Sequence, residues 1–195
     1  MPPAYVESTG HWVLRTGVET RRSSRCPEAS ILFGMRHVVI EWTGTGFSFD
    51  PSEYEAMLSQ LLPQLPAGAA RWASEPHHYK HWSDFCPRGL RLVGLSLEAD
   101  GDAVRSVVFV AAHGASRRTF SYTSPKSFRM IVTDGQSLLG DILGDEVLPH
   151  EDGCSLEVRF AGGTIHVTAA DLQVSWEGTD EVPDAHGLLA YQREQ

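Results

Sequence analysis

Residues 90–177 alternate between apolar and polar side chains in one short segment after another, and this period of two constrains the fold more than any other feature of the sequence. In the clearest segment, Leu156, Val158 and Phe160 alternate with charged residues. Successive side chains of a β-strand point to opposite faces of a sheet, so the alternation predicts strands with one solvent-exposed face. Glycine-containing turns separate several segments, as in antiparallel hairpins.

Read along the whole chain, the pattern predicts eight or so strands. They fall at residues 11–19, 36–42, 90–98, 104–112, 117–123, 128–133, 154–160, 164–168 and 172–176. So many strands joined mostly by short turns indicate a mainly antiparallel sheet, and we expect it to be curved or to form a part-closed barrel.

One segment carries the signature of a helix start. Asp50 suits the N-cap, Pro51 suits the first helical position, and Glu53 is placed to complete a capping box. Apolar residues then recur at helical spacing as far as Pro63, which limits the length. We predict one main amphipathic helix at about 51–62, packed on the sheet, and one short helix at about 136–143. The fold class is therefore α+β.

The length of 195 residues is typical of one domain, so we expect a single domain over 1–195. Within it, residues 66–89 predict a loop-rich segment, and residues from about 178 predict a loose acidic tail. No apolar run reaches the length of a membrane span, and the first residues lack the pattern of a secretory signal.

The three cysteines, Cys26, Cys86 and Cys154, are far apart and form no C-x-x-C pair. An odd number at such spacing argues against disulfides and zinc ribbons, so we expect reduced thiols in a cytoplasmic protein. The strong preference for arginine over lysine points to a bacterial source with a GC-rich genome.

The net charge of -9 bears on the choice of partner. Such a charge repels nucleic acid and anionic membranes, and it favours a basic protein. Apolar residues flank the acidic stretch near residue 145, and a charged rim around an apolar patch is typical of a protein interface. The candidate partner-binding residues are Asp141, Asp145, Glu146, Glu151 and Asp152. The first functional hypothesis is a non-enzymatic protein-binding module, such as an immunity-type inhibitor that docks an acidic face on a basic partner.

Residues 76–86 support a second hypothesis, an enzyme with a pocket at this segment. If the segment is a short helix, His77 and His81 share one face and Asp84 follows one turn later, which is a spacing suited to a divalent metal. No other cofactor is expected. The sequence has no G-x-S-x-G elbow and no H-E-x-x-H glutamate, so it leans away from an enzyme.

A third hypothesis is a curved sheet that binds a small ligand. The candidate pocket residues, for this hypothesis and for the enzyme alike, are Trp72, Tyr79 and Trp82.

Overall fold

The computed structural model describes residues 35–83, 85–101, 103–133 and 139–177, and the account below concerns these residues. The predicted strand at 11–19, the predicted tail from 178, Cys26 and Asp84 lie outside them. The elements in chain order are β1 (Val39–Trp42), β2 (Phe47–Asp50), α1 (Ser52–Leu61), a 3-10 turn (Leu62–Gln64), α2 (Ala67–Ala73), β3 (Arg91–Asp100), β4 (Ala103–His113), β5 (Ser116–Val132), β6 (Ile142–His150), β7 (Gly153–Phe160) and β8 (Gly163–Glu177).

The described strands form two antiparallel sheets, which confirms the predicted α+β class. One sheet is the β1–β2 hairpin, and the other has six strands in the order β3-β4-β5-β8-β7-β6. The larger sheet is not closed into a barrel. Within the described ranges, neither helix has the length and apolar character that a membrane span requires.

Helix α1 confirms the main predicted helix, but its start is built differently from the prediction. The helix begins at Ser52, and the Asp50 carboxylate accepts a hydrogen bond from the Ser52 amide at 2.9 Å. Glu53 does not complete a capping box. Its carboxylate lies 2.7 Å from Nδ1 of His37, a residue that precedes β1.

The two longest strands bend. A register shift between Pro125 and Ser127 interrupts the pairing of β5 with β8, and the nearby Ser124 has a positive φ of 47°. The main core takes residues from both sides of this bend, including Phe109 and Phe120 on one side and Ile165 on the other. A bulge of this kind lets one continuous sheet curve around its own core.

Helix α2 lies in the segment predicted to be loops. A helix of seven residues is too short to be stable alone. It is held by Asp171 on β8, whose carboxylate accepts hydrogen bonds from the Gly68 and Ala69 amides at 3.1 and 2.9 Å. The absence of a side chain at Gly68 allows this contact, because an added Cβ would lie 2.0 Å from the Leu172 carbonyl oxygen.

The short helix predicted at about 136–143 is wrong over its described part. Residues 136–138 are outside the described ranges, Gly140 has a positive φ of 75°, and Ile142 begins strand β6. The Ile142 amide donates to the Leu90 carbonyl at 2.7 Å. Pairing with residues distant in sequence therefore overrides the local helical pattern.

Candidate functional site

Asp145 is buried at the centre of a hydrogen-bond network between β6 and the α2 region. Its side chain is 1% exposed. One carboxylate oxygen accepts from Nε1 of Trp72 at 2.9 Å, and the other lies 2.8 Å from Nε2 of His78. The Tyr79 hydroxyl donates to the Asp145 backbone carbonyl at 3.0 Å. Asp145 thus ties α2 and the turns after it to the sheet.

The ring of His78 is fixed on both sides. Nε2 faces the Asp145 carboxylate, and Nδ1 faces the Trp72 carbonyl oxygen at 3.0 Å. A carbonyl oxygen only accepts hydrogen bonds, so Nδ1 carries a proton. Both ring nitrogens of His78 therefore have partners within the protein.

Glu146 holds the segment before β1 against the sheet. Its carboxylate accepts hydrogen bonds from the amides of Arg36, His37 and Val38 at 2.7, 2.6 and 3.0 Å. On β7, Glu157 lies directly opposite Glu146 and is also buried. Burial raises the pKa of Glu157, while the nearby Arg159 opposes that change.

The five predicted partner-binding residues do not form one exposed face in the described structure. Asp145 and Glu146 are buried, because the neighbours described above enclose their side chains. Asp141 pairs with Arg91. Glu151 and Asp152 are exposed at the β6–β7 turn. Of the five predicted residues, only Glu151 and Asp152 are exposed and form no ion pair with a lysine or arginine of the described chain.

Residues 76–83 form a succession of turns, not the short helix that the metal hypothesis required. The His78 amide donates to the Glu75 carbonyl, Lys80 to His77, and Ser83 to Lys80, each over three residues. With α2 ended at Ala73, the chain folds back over the sheet instead of continuing a helix. His77 and His81 are both exposed. The metal role predicted for them with Asp84 stays a prediction.

The three predicted pocket aromatics lie in different surroundings. Trp72 is buried beside Phe120, whereas Trp82 is 58% exposed and borders a hollow of about 250 Å³. The Tyr79 ring packs against Tyr54 and Phe49. Only Trp72 reaches the larger cavity described next.

A cavity of about 490 Å³ opens between α2, residue Phe85 and the strands β5 and β8, and we call it the α2–β8 cavity. Its wall includes Arg71, Trp72, Phe85, Arg118, Gln173 and Trp176. Arg118 is 1% exposed, and its guanidinium carbon lies 4.8 Å from the Trp176 ring centroid and 5.9 Å from that of Phe85. Guanidinium groups stack favourably on aromatic faces, which orients Arg118 here.

One feature of the sequence, the position of Arg118 in β5, indicated this cavity. Arg118 has the same parity along β5 as the buried Phe120 and Tyr122, so it occupies a core-facing position of an alternating strand. A charged residue is rarely fully buried unless it is paired, so such a position predicts a polar neighbour or a polar cavity. Its cross-strand partner, Trp176, follows only from the register of β5 with β8.

Nucleophilic chemistry has little support in the described residues. Burial raises the pKa of the Cys86 thiol, so the reactive thiolate is disfavoured. The rings of His37 and His78 bind carboxylates and a backbone carbonyl, and that of His150 accepts from a backbone amide. Comparisons of the chain with protein-family models, with curated proteins and with solved structures found no match. The functional proposal therefore depends on the geometry.

Proposed function

We propose that the protein binds a small molecule in the α2–β8 cavity and acts as a binding protein rather than an enzyme. The observation that carries this proposal is a cavity of about 490 Å³ walled by aromatic rings and a buried guanidinium. Small-molecule sites are concave, mostly apolar, and fixed in specificity by a few polar groups. The volume lies in the range of such sites, about 300–1,000 Å³.

The wall chemistry favours a ligand with a planar apolar part and an anionic group. Trp72, Phe85 and Trp176 supply flat apolar surface, and Arg71 and Arg118 supply positive charge. Two acidic residues, Glu75 and Asp171, also border the cavity. The Asp171 carboxylate already accepts hydrogen bonds from the amides of α2.

Trp176 adds a hydrogen-bond donor to this wall. Its Nε1–H is buried and has no acceptor among the described residues. Buried donors are normally paired, so a ligand oxygen at this position would satisfy it.

The test uses indole-3-acetate as an anionic planar probe and indole-3-acetamide as its neutral match. Binding is followed by the indole N–H resonances of the tryptophans. We expect the acetate to shift the resonances of Trp72 and Trp176 while that of the exposed Trp82 stays in place. Arg71→Ala should weaken the acetate by about tenfold, the scale of one charge-assisted contact. The affinity for the acetamide should change little in Arg71→Ala.

Arg36→Ala is the matched control, because Arg36 is exposed and does not border the cavity. Equal shifts at Trp82 and Trp176, or no saturable shift with either probe, would refute binding in this cavity. Mass spectrometry of a denatured extract of the purified protein checks independently for a co-purified small molecule.

A second candidate function is docking of a basic protein through the β6–β7 turn. It is favoured by the exposed carboxylates of Glu151 and Asp152, which with His150 place their ligand atoms within 4.8 Å of one another. The double variant Glu151→Lys, Asp152→Lys should abolish capture of a basic partner that the wild type retains at low salt and releases as salt rises. Unchanged capture would remove this surface from consideration.

A further inference from the structure

A further cavity, of about 220 Å³, lies at the outward positions of β5, β7 and β8, and we call it the outer cavity. Arg129 and Ile131 on β5, Arg159 on β7 and Thr164 on β8 line it. The alternate residues of these strands, such as Ile165, point into the core. The outer cavity therefore belongs to the opposite face of the sheet, and it shares no lining residue with the α2–β8 cavity.

The strand register concentrates hydrogen-bond donors at this place. Arg159 lies opposite Thr164, and its Nη1 is 3.5 Å from the Thr164 hydroxyl. Arg129 lies opposite His166, which also lines the cavity. Two guanidinium groups, hydroxyls and an imidazole on neighbouring strands are a donor set suited to an oxyanion.

The ionisable residues that line the outer cavity, within the described chain, are Arg129, Arg159 and His166. Glu157 lies opposite His166 in the register, but it is buried and does not line the cavity. Burial and the neighbouring Arg129 lower the pKa of His166, and His150 contributes in the same direction. Positive charge in the cavity therefore comes from the two arginines.

One wall of the outer cavity is apolar. The hairpin β1–β2 contributes Phe47, which is 39% exposed and packs edge-on against the more exposed Trp42 at 5.1 Å between ring centroids. Ile131, 47% exposed, and Leu143 complete the wall. Exposed apolar side chains beside a cationic group indicate a ligand with both kinds of surface.

We propose that the outer cavity binds a small organic phosphate, with the phosphate held by Arg159 and Arg129 and the hydrocarbon part on Phe47 and Ile131. A phosphate presents three acceptor oxygens, which suits a cavity lined by donors from three strands better than the two oxygens of a carboxylate do. A guanidinium has five N–H donors, so Arg129 donates to the phosphate and keeps its other contacts.

The test measures binding of phenyl phosphate by calorimetry at low ionic strength, with inorganic phosphate and sodium benzoate as matched probes. We expect phenyl phosphate to bind more tightly than either. Arg159→Gln should weaken phenyl phosphate by about tenfold or more, as expected for a charge-assisted contact. Phe47→Ala should weaken phenyl phosphate and leave inorganic phosphate unchanged. Arg105→Ala, at an exposed arginine that pairs with Asp100, should leave every affinity unchanged.

Equal affinities in Arg159→Gln and Arg105→Ala would overturn the proposal, as would binding of benzoate as tight as that of phenyl phosphate. Arg159 is exposed, and the urea midpoint of Arg159→Gln checks that the variant keeps its fold. Thr164→Val gives a second variant that removes one donor at nearly constant volume. Because the two cavities share no lining residue, these results are independent of those for the α2–β8 cavity.

Discussion

Replacing Asp145 by alanine is expected to destabilise the protein by about 2–6 kcal/mol, the sum for two buried polar groups left unpaired. The change leaves the Trp72 indole N–H and the His78 ring without the carboxylate, which now lies at 2.9 and 2.8 Å from them. Each buried donor left unpaired costs about 1–3 kcal/mol. The lost carboxylate also leaves unfilled space in the core, which adds to the cost.

The control for this prediction is Asp152→Ala, because Asp152 carries the same carboxylate but is exposed. It should change stability by less than about 0.5 kcal/mol. Urea unfolding at neutral pH, followed by tryptophan fluorescence, measures both variants against the wild type. A loss below about 1 kcal/mol for Asp145→Ala, or a loss equal to that of the control, would show that Asp145 is not the structural acceptor described above.

Three further outcomes follow from the geometry. Gly68→Ala is expected to lower the free energy of unfolding by at least about 2 kcal/mol, because its Cβ would meet the Leu172 carbonyl oxygen at 2.0 Å. The control is Gly46→Ala, where an added Cβ has nothing within 4 Å. Equal urea midpoints for the two variants would contradict this packing. Glu157→Gln should become progressively more stable than the wild type as the pH rises above 4.5, the ordinary pKa of the group. Burial raises the pKa of Glu157, so the folded state favours its protonated form and loses stability as the pH passes the raised value; a pH-independent difference between the two proteins would contradict this. Burial raises the pKa of Cys154 to about 12. The thiol should therefore resist iodoacetamide in the folded protein and react in urea, as measured by peptide mapping. Equal reactivity in both states would show that the thiol is accessible.

The sequence predicted the fold class because local alternation and turn chemistry report strands directly. It divided the long strands wrongly. Residues 117–123 and 128–133 were predicted as two strands but form the single β5, Ser116–Val132. Ser124 and Pro125 interrupt the alternation, and the bulge that carries the strand past them depends on pairing with β8. Long-range pairing of this kind leaves no local signal.

The candidate sites were harder to predict for a related reason. Acidic residues are mostly exposed, so Asp145 and Glu146 were natural candidates for a surface. Their burial depends on His78 and on the amides of residues 36–38, which are far away in the sequence. The α2–β8 cavity likewise forms between segments that the fold alone brings together, and only the core-facing position of Arg118 indicated it in advance.

The position of β8 in the sheet has a consequence for biosynthesis. It is the last described strand in the chain, yet it lies inside the sheet, paired with β5 on one side and β7 on the other. During translation, β5 and β7 therefore emerge with unpaired inner edges, and these edges are paired only when residues 163–177 leave the ribosome. Unpaired strand edges template aggregation. A chain stalled before residue 163 should consequently be a substrate for chaperones that cover exposed β-edges.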